Sequence, residues 1–302
     1  LIGAKLLQLT FNASDDTTVS PNVQYAAMGP VPYNLNYIPW RTQIPTLLCP
    51  SDLAPSAVIP NAVTNYGVSL GDSFWNCNNT RNAPAAGEPV STGTPANIGQ
   101  HRGFFKDLHT TAFRDVLDGL SNTVAMGELV RSAGQRELVG DVLVRNQTNN
   151  TVRDDPKVEC WDFGADPQRP RFYRPSPAVE LAVETSASGN RWRGSTWAQG
   201  EPMMSAVTIT FPPNGPNFVR GNGDANGPGG IFAVASRHQG GAHVLMGDGA
   251  VRFVTDSIDS GNLSSRPVGV NGGPPACAES PYGLWGALGS NAAKEPRSID
   301  EI

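Results

Sequence analysis

His238 is followed by nine residues and then by Asp248-Gly249. A histidine titrates near neutrality and serves as a general base or a ligand, and an aspartate beside it would orient the ring. The same residues have a structural reading. Asp248-Gly249 then forms a turn, and His238 hydrogen-bonds across the entrance of a hairpin and fixes the Gly240-Gly241 corner. The spacing favours structure, because a regular strand of about six residues holds the two side chains roughly 20 Å apart. No G-x-S-x-G nucleophile is present either. The expectation is a chain with no catalytic residue and no bound metal.

Other polar residues read the same way. Asp118-Gly119 with Ser121-Asn122 has turn chemistry, because Asp, Ser and Asn side chains bond neighbouring backbone groups. Glu128 falls on a strand, where a buried carboxylate calls for an arginine partner. Asp52, in Cys49-Pro50-Ser51-Asp52, reads as a turn cap. Asn222, Asp224 and Asn226 in GNGDANGPGG (221–230) offer oxygens to calcium, but the EF-hand spacing is missing and a plain loop is the simpler reading. Trp75, Trp161, Trp192, Trp197 and Trp285 with Tyr173 could form a glycan platform, although aromatic rings more often fill cores. The N-x-S/T triplets at Asn12, Asn78, Asn146, Asn149 and Asn262 fall within chance in so Asn-rich a chain.

Four cysteines, Cys49, Cys77, Cys160 and Cys277, form no C-x-x-C pair, and no histidine lies at a spacing that would complete a zinc site with them. Their even number and wide spacing fit two disulfides in an oxidising compartment, with buried free thiols as the alternative. Four cysteines allow three pairings. The shorter loop favours Cys49–Cys77, which leaves Cys160–Cys277.

These residues need short strands to position them. IPTLLC (44–49), TNYGVSLG (64–71), SNTVAMGELV (121–130) and AVTITF (206–211) read as strands, ELVGDVLVR (137–145) as a further short apolar segment, and FRDVLDGL (113–120) as one or two helical turns. AHVLMG (242–247) and AVRFVT (250–255) read as a hairpin on a two-residue Asp-Gly turn, with Val244, Met246, Val251 and Phe253 packing together. SPYGLWGALGS (280–290) is apolar enough to pack. Residues 81–100 and 146–200 are loop-rich excursions, and residues 1–12 carry a weak helical stripe suited to the end of an upstream helix.

The composition agrees. Among 302 residues there are 33 Gly and 26 Pro, which argues against a helical bundle. A net charge of −5 with few lysines argues against nucleic-acid binding. No apolar run approaches the roughly 20 residues that span a bilayer. The expected fold is α+β, predominantly antiparallel β, as one domain over 1–302.

Six segments occur in order: IPTLLCPSD (44–52), DVLDGLSNTVAMGE (115–128), RGSTWAQG (193–200), TITFPPN (208–214), SRHQGGAHVLMGDGAVRFVTDSID (236–259) and YGLWGALGS (282–290). Together they resemble the planctomycetal prepilin-type family with an "H-x9-DG" motif, a domain of unknown function, across roughly residues 40–290. The resemblance implies a pilin- or pseudopilin-like head related to type II secretion, with most of the N-terminal pilin helix missing. It further implies an exported cell-envelope protein, periplasmic or extracellular, that reaches a membrane only through that helix. Its partners would be copies of itself or other pilin-like subunits. The expected function is non-enzymatic, in surface assembly, filament formation or adhesion. The alternatives are a glycan- or small-solute-binding module and, behind it, a hydrolase using His238 and Asp248. Calcium is the one cofactor with a candidate loop.

Overall fold

The computed structural model describes residues 29–30, 32, 34, 37–52, 61–75, 102–106, 110–145, 151–176, 178–185, 192–220 and 229–293. The strands in chain order are β1 (Tyr66–Ser69), β2 (Val124–Glu128), β3 (Val142–Arg145), β4 (Ala165–Asp166), β5 (Arg169–Tyr173), β6 (Ala206–Val207), β7 (Asn217–Arg220), β8 (Gly230–Ile231), β9 (Gly241–Met246) and β10 (Val251–Thr255). A five-stranded sheet has the order β10-β9-β2-β1-β6, antiparallel except between β1 and β6. β3, β7 and β8 form a second sheet, parallel between β3 and β7, and β4 pairs with β5. Helices are short, as the Gly and Pro content dictates, and no described helix is long and apolar enough to cross a membrane. The architecture is mixed α+β with mostly antiparallel pairing.

The inner face of the five-stranded sheet carries Val124, Ala242, Val244, Met246 and Val254. The helix Gly283–Ala287 closes over it with Leu284 and the fully buried Trp285, whose Nε1–H donates to the Phe211 carbonyl at 2.7 Å. A second core gathers Phe74, Leu143, Cys160, Tyr173, Phe211 and Phe218.

Several elements depart from the sequence reading. IPTLLC forms a 3-10 turn, Pro45–Leu47, because Pro45 has no N–H for a ladder and Leu47 N–H bonds back to Ile44 O. FRDVLDGL keeps the single-turn form of its reading, as a 3-10 turn at Phe113–Asp115. In AVTITF only Ala206–Val207 is strand, and beyond it Thr208 and Ile209 donate to Phe232 and Gly71. The N-terminal stripe at 1–12, the excursion at 81–100 and most of the candidate calcium loop lie outside the described residues.

The hairpin is present with a different turn. Its loop is Gly247-Asp248-Gly249, closed by Met246 N–H to Ala250 O and Gly249 N–H to Met246 O. Gly249 has a φ of 91°, while Asp248 is not left-handed, so this is a three-residue loop with a glycine bulge. The extra residue sets Leu245 opposite Val251, one step from the pairing that a two-residue turn would impose. A one-residue slip moves a whole strand's side chains to the other face. Val254 is therefore buried, while Val251 and Phe253 are 65% and 41% exposed instead of packing with Val244 and Met246.

Candidate functional site

The Cys49-Pro50-Ser51-Asp52 turn is closed by Asp52 N–H to Cys49 O, 3.1 Å. Cys49 N–H donates to Asn65 Oδ1, also at 3.1 Å, so the cysteine backbone is pinned to the residue that precedes β1. The buried Asp52 carboxylate locks that turn. Its Oδ2 accepts from Asn65 Nδ2 and from the Arg131 N–H and Nε, and its Oδ1 lies 3.6 Å from Arg237 Nε. Arg237 immediately precedes His238, and Asp52 thereby couples the cysteine turn to the histidine loop.

Glu128 ends β2 and is 5% exposed. Its Oε2 accepts the His243 backbone N–H at 2.7 Å and lies 3.3 Å from His243 Nδ1. Its Oε1 lies 3.4 Å from His238 Nε2. His238 is held by its own N–H on Ser236 Oγ, and that hydroxyl donates to Gly241 O. Cys49 Sγ is 3.9 Å from the same His238 Nε2. The Cys49, Glu128 and His238 donor atoms all fall within 4.8 Å of one another. Burial first, and then the charges of Cys49 and Glu128, hold the neighbouring Tyr66 phenol above its ordinary range.

The wiring decides what this cluster can do. A nucleophile–base–acid relay needs the histidine to face the thiol with one ring nitrogen and the carboxylate with the other. Here one nitrogen faces both. Convergence of three donors on one point is the geometry of ligation.

The cluster adjoins a cleft of about 310 Å³ on the outer face of the five-stranded sheet. Its walls are mainly Leu47, Met126, Leu245 and Val251, and Glu128 and His243 supply polar groups.

The remaining sequence candidates are dispersed. His238 and Asp248 sit at opposite ends of β9, and Asp248 Oδ1 accepts the Ala250 N–H inside the turn. Gly240 has a φ of 79°, and a Cβ on Gly241 would stand 2.2 Å from Val254 O. Asp118 accepts from Ser290 Oγ and Ala293 N–H, Gly119 has a φ of 95°, and Asn122 donates to Asp118 O.

Two expectations are corrected. Glu128 pairs with two imidazoles and not with an arginine, because the arginines nearest the site are turned to Asp52. Cys160 and Cys277 are not joined: Cys160 is a free thiol inside the second core, pushed well up by burial, and Cys277 is free and exposed. Cys49 is also free, and Cys77 lies outside the described residues. The preferred reading of the aromatic rings as core filling holds for Trp75, Trp285 and Tyr173, while Trp161 packs on Phe211, Trp197 on Trp40 and Trp192 beside Gly134. Sequence reasoning had no role for His243, Arg131, Arg237 or Asn65. The available signal was that the CPSD, NTVAMGE and SRHQGG segments contribute a thiol, a carboxylate and an imidazole.

A family model described as protein of unknown function (DUF1559) matches residues 8–261. No curated protein and no solved structure matches the chain.

Proposed function

The chain belongs to the DUF1559 family, and we propose that it is a non-enzymatic cell-envelope protein, the head of a pilin- or pseudopilin-like subunit that acts by assembly with other such subunits. The observation that carries this reading is the outer face of the five-stranded sheet. β10 ends the strand order, and its outward Val251 and Phe253 are exposed beside the apolar cleft. An edge strand offers unpaired backbone groups, and contiguous exposed apolar surface favours association. Asp118, Asp248 and Gly249, which belong to the motif series, are committed to turns that stiffen the head. The occupant of this face is a second copy of the subunit. Sedimentation of the full-length protein over a concentration series tests it. Self-association weakened at least about tenfold in Val251→Glu and Phe253→Glu supports the reading, and identical monomeric profiles in wild type and variants overturn it.

A second reading, binding of a small solute in the cleft, is favoured by the cleft's size and by its carboxylate and imidazole beside apolar walls. About 300 Å³ is the lower end of small-molecule sites. A thermal-shift screen of aliphatic and aromatic amines separates the two readings. A hit abolished by Glu128→Gln but not by Phe253→Glu favours the solute.

A further inference from the structure

We propose that Cys49, Glu128 and His238 form a three-ligand site for a divalent transition metal of the zinc type, with a fourth position open to solvent.

The distances support this directly. Tetrahedral zinc with Zn–S near 2.3 Å and Zn–N and Zn–O near 2.0–2.1 Å places S and N about 3.6 Å apart and N and O about 3.3 Å apart. The corresponding separations are 3.9 Å for Cys49 Sγ to His238 Nε2 and 3.4 Å for His238 Nε2 to Glu128 Oε1. The third pair, the Cys49 thiol and the Glu128 carboxylate, lies within 4.8 Å against about 3.6 Å at a tetrahedral ion, so side-chain movement of up to about 1 Å closes the set.

The supporting shell is already built. Ligands of a metal are ordinarily oriented by partners behind them. Glu128 has its second oxygen held by the His243 N–H and Nδ1, which leaves Oε1 to the site. Cys49 is fixed by Asn65, and His238 by Ser236 and by the Arg237–Asp52 contact one residue away. The three ligands come from residues far apart in the chain, so an ion here would pin the cysteine turn, the end of β2 and the approach to β9 together.

Donor chemistry selects the ion. A thiolate with an imidazole and a carboxylate suits zinc and other borderline metals, whereas calcium and magnesium require oxygen sets. On binding, the Cys49 thiol releases its proton to solvent, and thiolate plus carboxylate balance the dication. The nearby cations do not compete, because Arg131 is held by Asp52, and Arg237 by Asp52 and Glu137. The His238 side chain is 32% exposed, which leaves room for a water as fourth ligand.

The test uses the reduced, chelator-treated full chain, titrated with Zn²⁺ alone by calorimetry and with Co²⁺ as a spectroscopic probe. The expected result is one ion per chain and a thiolate-to-cobalt charge-transfer band. The band should vanish in Cys49→Ser and persist in Cys277→Ser. Zn²⁺ affinity should fall at least about a hundredfold in Cys49→Ser and His238→Gln. It should fall about 10–100-fold in Glu128→Gln, and by a similar factor in His243→Ala, which retains the band. No stoichiometric binding by wild type, Co²⁺ bound without a thiolate band, or affinity unchanged in Glu128→Gln each overturns the proposal. If a variant unfolds, as read by circular dichroism, the wild-type cobalt spectrum and its persistence in excess Ca²⁺ and Mg²⁺ decide the matter.

Discussion

Removing the Asp52 carboxylate should loosen the cysteine turn, the start of β1 and the histidine loop at once. Oδ2 accepts three hydrogen bonds, two of them from Arg131, and Oδ1 faces Arg237. Breaking a buried ion pair from one side costs about 3–5 kcal/mol, because the partner charge is left uncompensated. Two features place Asp52→Ala near the lower bound, at about 3 kcal/mol. Arg131 keeps a 2.7 Å bond to the Asp52 backbone carbonyl and Arg237 keeps Glu137 at 2.6 Å. Their side chains are also 14% and 30% exposed, so water takes up part of the lost interaction.

Asp52→Asn keeps the shape and one acceptor but turns an amide N–H₂ towards a guanidinium. Its cost should be about 1–2 kcal/mol, on the scale of losing charge assistance from a hydrogen bond. Urea denaturation followed by tryptophan fluorescence measures both variants, with an unchanged m-value showing that the folded state is otherwise intact. An alanine variant within about 0.5 kcal/mol of wild type, the range of a featureless surface substitution, would refute the reasoning. So would an asparagine variant less stable than the alanine one.

Gly127→Ala should lower stability by about 1–3 kcal/mol, since its Cβ would stand 2.6 Å from Val234 Cγ2 inside the packed face, and a thermal midpoint equal to wild type counts against that. Gly249→Ala should cost about 1 kcal/mol through its positive φ alone, because nothing lies within 4 Å of the added carbon; a loss above about 3 kcal/mol would show a contact role instead. Tyr173 and Tyr282 are fully buried, and burial holds both phenols well above their ordinary range. A folded pKa above the unfolded one means that their contribution is full below about pH 10 and is lost as pH rises through the folded values. Ultraviolet titration should therefore show at least two of the six tyrosines ionising only as the chain unfolds, and ionisation of all six with native circular dichroism retained contradicts this. Cys277 should react with a thiol reagent in the native, unreduced protein and Cys160 only after denaturation; modification of neither until a reductant is added would restore the disulfide.

The fold was legible where local chemistry and packing agree. NTVAMGE alternates into β2, and YGLWGALGS buries its tryptophan because that apolar tail has a sheet face to cover. Legibility failed where one backbone atom decides. Pro45 removes a ladder donor from a run that is otherwise strand-like. In the hairpin, the Asp-Gly pair marks the turn correctly, yet both a two-residue and a three-residue loop accept it. The choice between them sets the face of every β10 side chain, and it exposes Val251 and Phe253.

The site was illegible for a different reason. His238 reads as a possible ligand, Cys49 as half of a disulfide and Glu128 as an arginine partner, and spacing along one chain says nothing about meeting in space when the separation exceeds a single element. The spacing already sets His238 apart from Asp248, and β9 does carry those two apart, but that spacing offers no other partner for the imidazole. What joins His238 to Glu128 is the β2–β9 ladder, in which Gly127 lies opposite Val244 and the carboxylate accepts the His243 N–H. What joins Cys49 to both is Asp52, which reads locally as a turn cap and acts as the anchor for Arg131 and Arg237. A buried carboxylate with two arginine partners from distant segments fixes three loops relative to one another. The residue that reads as the most ordinary of the set therefore does the most to bring the other three together.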